Sequence, residues 1–423
     1  MRVLVEGAGF VNKGSEAMLR TVQFELGQRL RNASFNVERS MLSPGTENHA
    51  LSAGIKILGR ERPSTLLGRT RIRLQEVLRA PTQVLDVWRE RAGMTGWATL
   101  LGRIDAVIDI SGYRYADSWG AGGARRIAPI VYHAWRTGKP YIFLPQAWGP
   151  FGKDPVLRDI CRKNCLRSAL VLVRDTQSRQ HVAKLLDKPV DQVYQFPDIA
   201  FLFRDAGKEV GQRHLAELGL RSSGYPIVCV APNMRVYERA QGFGAENVYI
   251  NMLVRVCRDF LNRGTNILLI PHEINPDRAV LDDRWLCQLI LLSIGRSERI
   301  AAISLPMSAE DISSMIACCE LIVGSRFHAI VAALRSRIPA VAIGWSHKYD
   351  ELMQDVGLGQ FVLDHSNLDI EGIGEVIRMA WENREANKQA LGARLPHIES
   401  AVASMFDLVA DVIHSRATVS RSN

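Results

Sequence analysis

The sequence predicts an α/β protein made of two Rossmann-like, doubly wound lobes with a central cleft. Three observations carry that expectation. Short apolar runs ending in Gly, Ser or Pro alternate with amphipathic stretches along the whole chain. The runs are apolar at every position, as strands buried on both faces of a parallel sheet are. The 423 residues also exceed the roughly 300 at which a single core stops growing and a chain divides.

In the first half the strand-like runs are Val3 to Glu6, Ala106 to Ile110, Tyr141 to Leu144 and Leu170 to Val173. In the second half they are Ile227 to Val230, Ile267 to Ile270, Leu321 to Val323 and Ala340 to Ile343. Between the halves, Phe203 to Tyr225 is polar, with Gly207 and Ser222-Ser223-Gly224 around a short helical pattern at His214 to Leu220. The expected division is therefore an N-terminal lobe at 1–205, a linker at 206–224, a C-terminal lobe at 225–390, and a C-terminal helix and tail at 391–423. Two such lobes leave a cleft facing the carboxyl ends of both sets of strands, where open α/β sheets bind ligands.

The rhythm breaks at about 59–93, where Arg60, Arg62, Arg69, Arg71, Arg73, Arg79, Arg89 and Arg91 are interleaved with apolar residues. This basic insertion reads either as a solvated helical face or as a peripheral contact with an anionic membrane. The chain carries 53 Lys and Arg against 44 Asp and Glu, a formal charge of +9. That balance favours phosphorylated substrates or an anionic membrane surface, and does not call for nucleic acid as a partner. Composition is ordinary, with 47% hydrophobic and 23% charged residues, which excludes collagen-like, disordered and coiled-coil chains. The seven cysteines are scattered, odd in number and without C-x-x-C spacing, so a reducing cytosol is expected. Glu6 interrupts the first apolar run before a signal-peptide core could form, and no run approaches the roughly 18 residues of a membrane span. The expected location is cytoplasmic, with the insertion able to rest on the inner face of the plasma membrane.

The chemistry-bearing residues fall at strand ends. Leu321 to Gly324 re-enters a helix through Ser325, the expected N-cap, so Arg326 and His328 fall in a first helical turn that attracts anions. The next strand ends in Gly344-Trp345-Ser346-His347-Lys348, Arg235 follows Ile227 to Val230, and His272 follows Ile267 to Ile270. All four consecutive strands thus deliver a cation or a histidine to one edge. In the first half, Gly7 to Gly14 leads to a helix expected near Ser15-Glu16; it lacks the third glycine of a dinucleotide fingerprint, and Asn12 and Lys13 suit polar contact with a substrate. Other first-half strand ends are Asp109 to Gly112, Gln146 to Pro150, Arg174-Asp175 and Pro197-Asp198. Phosphate-loop, zinc-protease, serine-hydrolase and paired-aspartate metal motifs are absent, so no metal and no bound cofactor are expected.

Taken together, Gly9-Phe-Val-Asn-Lys-Gly-Ser-Glu-Ala-Met-Leu19, Leu144-Pro-Gln-Ala-Trp-Gly-Pro150, Val173-Arg-Asp175, Phe196-Pro-Asp198, Ser325-Arg-Phe-His328 and Ser346-His-Lys348 resemble the polysaccharide pyruvyl transferase family in order and spacing. Asp109-Ile-Ser-Gly-Tyr-Arg114 replaces a more glycine-rich family turn. The resemblance implies a glycosyltransferase-B-like fold that moves a pyruvyl group from phosphoenolpyruvate, as co-substrate, onto two hydroxyls of a glycan or a lipid-linked oligosaccharide. A cyclic pyruvate ketal forms and phosphate leaves. It also implies His328 as general acid, with Arg235, Arg326, His347, Lys348 and Ser325 on the donor side. Asn12, Lys13, Glu16, Gln146, Asp175 and His272 are the candidates for the acceptor side and its base. Two rival readings share the residues: a nucleotide-sugar glycosyltransferase of the same two-lobe fold, which would want an acidic ribose clamp in the second lobe, and a non-catalytic glycan or membrane-surface binding protein.

Overall fold

The computed structural model describes residues 1–43, 45–59, 101–220, 224–275, 277–367 and 370–419. Thirteen strands among them form two wholly parallel sheets. The first has β1 (Arg2–Glu6), β2 (Ser34–Glu38), β3 (Lys56–Leu58), β4 (Ala106–Asp109), β5 (Tyr141–Gln146), β6 (Leu170–Val173) and β7 (Tyr194–Gln195), in the order β3-β2-β1-β4-β5-β6-β7. The second has β8 (Ile227–Ala231), β9 (Asn266–Leu269), β10 (Ile300–Ala302), β11 (Leu321–Gly324), β12 (Ala340–Gly344) and β13 (Val362–Asp364), in the order β10-β9-β8-β11-β12-β13. Each sheet starts in its middle, walks outward, and returns to the other side of its first strand. The reversals lie between β1 and β4 and between β8 and β11, and the loops leaving these strands are where a ligand crevice opens.

All eight strands expected from the sequence are present, their central residues buried on both faces except in β6, where Leu170 and Val171 are half-buried. Five others, β2, β3, β7, β10 and β13, were not foreseen. They lie toward the sheet margins, run two to five residues and, apart from β2, are largely half-exposed or exposed, so polar residues break the apolar runs. In β2 the interruption is Asn36, buried because its Nδ2 donates to the Val3 carbonyl at 3.0 Å. An amide with its own backbone partner tolerates a strand interior that its residue type disfavours.

The stretch read as a linker contains a helix, Lys208–Glu217, set earlier than the pattern at His214 to Leu220 suggested. Leu215 is buried, and Gly211 lies so close to the second-lobe helix Ala309–Ile316 that a Cβ there would stand 2.2 Å from the Ser314 carbonyl oxygen. The basic insertion falls, from residue 60 onward, outside the described residues. No helix among the described residues is long and apolar enough to cross a membrane.

Several contacts clasp the lobes. Lys13 N donates to the His272 carbonyl and Ile274 N to the Val11 carbonyl, both at 2.9 Å, so the loop after β1 pairs briefly with the loop after β9. Arg20 meets Glu310 at 2.9 Å and Arg335 meets Asp205 at 2.5 Å. Glu351 of the second lobe accepts from the Thr176 and Gln177 amides, both at 3.2 Å, at the start of the first-lobe helix Thr176–Leu186. The long helix Arg384–Val419 returns to the first lobe, where Asp407 pairs with Arg29 at 2.7 Å.

Because Gly211 faces backbone, which cannot swing aside, Gly211→Ala is expected to cost about 1–3 kcal/mol by overpacking. Chemical denaturation of the variant beside the wild type measures it, and an unchanged midpoint would refute the close approach.

Candidate active site

The second lobe's strand ends are tied together by Asp283, a fully buried carboxylate in the first turn of the helix Asp283–Ile294. Its Oδ1 accepts from Met234 N at 3.2 Å, in the turn after β8, and its Oδ2 accepts from His272 N at 3.2 Å and Glu273 N at 2.8 Å, after β9. Arg326, after β11, donates to Asp283 at 2.5 Å and to Glu273 at 2.7 Å. Burial pushes the Asp283 carboxyl upward and Arg326 opposes that shift. The sequence gave no sign of this residue's role: in Asp282-Asp283 the first aspartate caps the helix, accepting from Arg284 N at 2.9 Å, and hides the inward one.

The strands that Asp283 gathers open on an inter-lobe cavity of about 380 Å³. Of the residues singled out in the sequence, Asn12, Arg235, His272, Arg326, His328 and Lys348 line it. The other six do not. Ser325 is fully buried behind the wall, bonded through its hydroxyl to Tyr249, and its carbonyl accepts from Asn233 Nδ2 at 2.6 Å and Tyr349 Oη at 2.7 Å; it braces the turn rather than capping the helix Phe327–Arg335, whose N-cap position belongs to Arg326. Lys13 turns inward to Glu16 and the Phe10 carbonyl, each at 2.8 Å, which removes both side chains from the cleft. The first helix begins at Lys13, with Asn12 accepting from the Gly14 and Ser15 amides. Gln146 is fully buried at the end of β5. Asp175 caps the helix Thr176–Leu186 through Ser178 N at 2.7 Å and faces His347 at 3.4 Å, beside a smaller cavity on the far side of Arg174 and Phe327.

His328 sits where the lobes meet. On one side its ring lies against Gly14, where a Cβ would come within 2.1 Å of Nδ1, so only glycine leaves the imidazole room. On the other, its Nε2 is 3.5 Å from Asp198, a first-lobe carboxylate that also pairs with Arg174 at 2.5 Å. Burial alone would raise the Asp198 pKa, but His328 and Arg174 together hold it far below the usual carboxylate range. Arg174 lies over the Phe327 ring at 4.3 Å.

Lys348 is buried among four rings, its Nζ standing 5.2, 5.2, 4.5 and 5.5 Å from the centroids of Tyr113, Phe327, Trp345 and Tyr349. Burial first, and then the Arg174 and Arg326 guanidiniums, push its pKa well below the ordinary lysine range. His272 is held well below its ordinary pKa by burial and by the positive groups His328, Arg326 and Lys13, so its imidazole is neutral. Arg326, bonded to two carboxylates, is a fixed part of the wall, whereas Arg235 is only 3.2 Å from a surface residue, Glu238, and remains partly exposed. Of these two arginines, Arg235 is thus the one left open to an anion.

Tyr113, Arg114 and Trp119, from the loop after β4, close the first-lobe side. Of these only Tyr113 and Arg114 stood in a segment that the sequence marked out, as a departure from the family turn; an indole in an irregular loop carries no periodic signal.

The fold resembles several solved structures. UDP-GlcNAc 2-epimerase from Neisseria meningitidis matches with a TM-score of 0.59 and 12% identity over 98% of this chain and 100% of that one. Anabaena HepE, solved with UDP and glucose, gives 0.57 and 12% over 98% and 100%. The trehalose 6-phosphate synthase of Burkholderia multivorans gives 0.58 and 11% over 99% of each chain. At such identities these likenesses establish the glycosyltransferase-B-like architecture alone. In sequence, the amylovoran biosynthesis protein AmsJ of Erwinia amylovora is 21% identical over 320 residues, 74% of either chain. The polysaccharide pyruvyl transferase family model matches residues 12–347, from the cap of the first helix to the end of the β12 loop, and the chain belongs to that family.

Proposed function

We propose that the protein transfers a pyruvyl group from phosphoenolpyruvate to two hydroxyls of a sugar, within a polysaccharide or its lipid-linked precursor, forming a ketal and releasing phosphate. The observation that carries this reading is the gathering of Arg235, Lys348, Arg326 and Arg174 around the His328 imidazole in one cavity of about 380 Å³. A three-carbon molecule bearing a carboxylate and a phosphate needs two or more cations a few ångströms apart. Arg235 and Lys348 bind the two anionic groups in this scheme, and the start of the helix Phe327–Arg335 adds its dipole.

His328 gives its proton to the donor's methylene carbon, which becomes the methyl group. The adjacent carbon, now cation-like, bonds to one sugar oxygen. Attack by the second hydroxyl expels phosphate. Two hydroxyl protons are released in all: one balances the proton taken up by carbon and the other leaves with phosphate. Of the residues considered as base, Glu16 and Asp175 point elsewhere, whereas His272 lines the cleft with a neutral imidazole. Its low basicity suits it to accept a proton late, once the oxygen is bonding to carbon. Asp198 acts through His328: its buried carboxylate, 3.5 Å from Nε2, fixes the orientation of the ring. The reading puts the protein in the cytoplasm, in keeping with scattered cysteines that lack paired spacing, with the basic segment at 59–93 as a peripheral contact for the inner membrane face.

The first test supplies phosphoenolpyruvate with a panel of glycans and measures phosphate release together with an acid-labile mass gain. His328→Gln should still bind donor yet turn over at least about 100-fold slower. Arg235→Ala should weaken donor binding about tenfold, through loss of a charged hydrogen bond. Near-normal turnover in His328→Gln at saturating donor would remove the acid from the scheme.

Asp198→Asn separates charge from shape. The native carboxyl titrates below its unfolded value of about 3.9, so its stabilisation is present above that pH and is lost as the pH falls. The variant should lose about 3–5 kcal/mol near neutrality, from breaking a buried pair, and the loss should shrink only well below the unfolded value, at about pH 2, as the native carboxyl begins to take up its proton. The alkaline limb of its turnover profile, which reports the general acid, should also move, as a purely structural residue would not cause. An equal stability loss at both pH values would contradict the ion pair.

Burial and the neighbouring guanidiniums disfavour the charged form of Lys348, and a dianion beside it would favour that form, so donor binding should take up protons and tighten as the pH falls. At about pH 8 the donor's own phosphate is fully ionised, and calorimetry in buffers of different ionisation enthalpy should report net proton uptake on donor binding. Lys348→Met should abolish the uptake; binding without uptake in the wild type would mean that the amine is already charged.

A further inference from the structure

We propose that the first-lobe wall of the cleft, centred on the Trp119 indole, seats a pyranose ring of the acceptor; this assignment rests on the pyruvyl-transfer reading of the cleft. The walls differ in chemistry. The second lobe contributes Arg235, His272, Arg326, His328 and Lys348, whereas the first contributes Asn12, Ser15, Ser111, Tyr113, Arg114 and Trp119, with Arg174 committed to Asp198. A dianion belongs with the cations. A neutral ring studded with hydroxyls matches an amide, two serine hydroxyls and an aromatic face.

Trp119 is both open and held. Its residue surface is 44% exposed on the lip of the cavity, an amount of apolar area whose burial is worth having for a ligand with a flat C–H face. The loop that carries it is fixed from below. The Asp117 carboxylate accepts from the amides of Gly152, Lys153 and Asp154 at 2.8, 3.0 and 3.2 Å. Tyr115 is buried, stacked on Trp148 at 4.9 Å, and donates its hydroxyl proton to Asp109 at 2.7 Å. Trp119 N itself donates to the Ala116 carbonyl at 2.9 Å. The indole is therefore presented by a preformed support and loses little freedom when a ligand covers it. Arg235 lies over it at 5.7 Å, so a sugar against Trp119 is next to the arginine that holds the donor in this scheme. The platform stands just beyond the turn at which this chain departs from the more glycine-rich family pattern.

Saturation-transfer NMR with the methyl glycosides of galactose, glucose and mannose tests the assignment on wild type, Trp119→Ala, Trp119→Phe and Trp135→Ala. Trp135, 51% exposed on the helix Gly122–Arg136, controls for loss of any surface indole. At least one glycoside should receive saturation on the C–H bonds of one ring face; Trp119→Ala should cut the signal about tenfold, while Trp119→Phe and Trp135→Ala keep it. Calorimetry with phosphoenolpyruvate should give the same affinity for the wild type and Trp135→Ala. Absence of transfer to every glycoside in the wild type, or equal transfer in Trp119→Ala with its fold intact, overturns the platform. Failure of phosphoenolpyruvate to bind the wild type would instead strike the pyruvyl-transfer reading, leaving the sugar contact to be judged on its own signals.

Discussion

One buried carboxylate organises the catalytic half. Asp283 has no solvent to screen it, so its charge must be met by protein, and the groups that meet it come from three strand ends: the amides after β8 and β9 and the guanidinium after β11. Each of these segments also carries a residue that lines the cleft. The positions of Arg235, His272 and Arg326 are therefore consequences of one desolvated anion, and the exposure of the cleft to water does not loosen them, because the anchoring bonds lie beneath its wall. A buried ion that is stripped of one partner is more costly than a pair never built, which makes this arrangement rigid rather than merely stable.

That rigidity redistributes roles among the cations. A guanidinium already bound to two carboxylates has little left to offer a third anion, and Arg326 is in that state. Lys348 is in the opposite one: rings rather than carboxylates surround its ammonium, and neighbouring guanidiniums repel its charge. An anion beside the lysine would offset that repulsion, whereas the charge of the arginine is already met by its two carboxylates.

The strand pattern was legible because burial on both faces leaves an unbroken apolar run, and eight strands could be read in that way. Margin strands such as β3 and β13 are only partly covered, so their residues answer to water as much as to the sheet, and no run survives. The cleft was legible to the extent that strand ends carried charged residues, which identified Arg235, His272, Arg326, His328 and Lys348 together. What escaped was set by long-range partners. Ser325 has the residue type of a cap, but its hydroxyl is taken by Tyr249, 76 residues away. Lys13 and Glu16, three apart on one helical face, satisfy each other before any substrate can. Asp283 reads as a second helix-opening aspartate until three loops are seen to converge on it. Local sequence states what a side chain is able to do; which partner reaches it first is decided by the packing of the lobes.

His328 shows what the two-lobe design adds to a single sheet. The imidazole belongs to the second lobe, yet the carboxylate that faces it, Asp198, and the glycine that leaves it room, Gly14, belong to the first. Neither lobe alone positions this imidazole. The same holds for His347 with Asp175 and for Glu351 at the start of the helix Thr176–Leu186. The first sheet thus supplies carboxylates opposite the histidines of the second. Separation of the lobes would open these pairs to water and release both rings, because the low-dielectric contact that joins the lobes is the same one that orients His328 and His347.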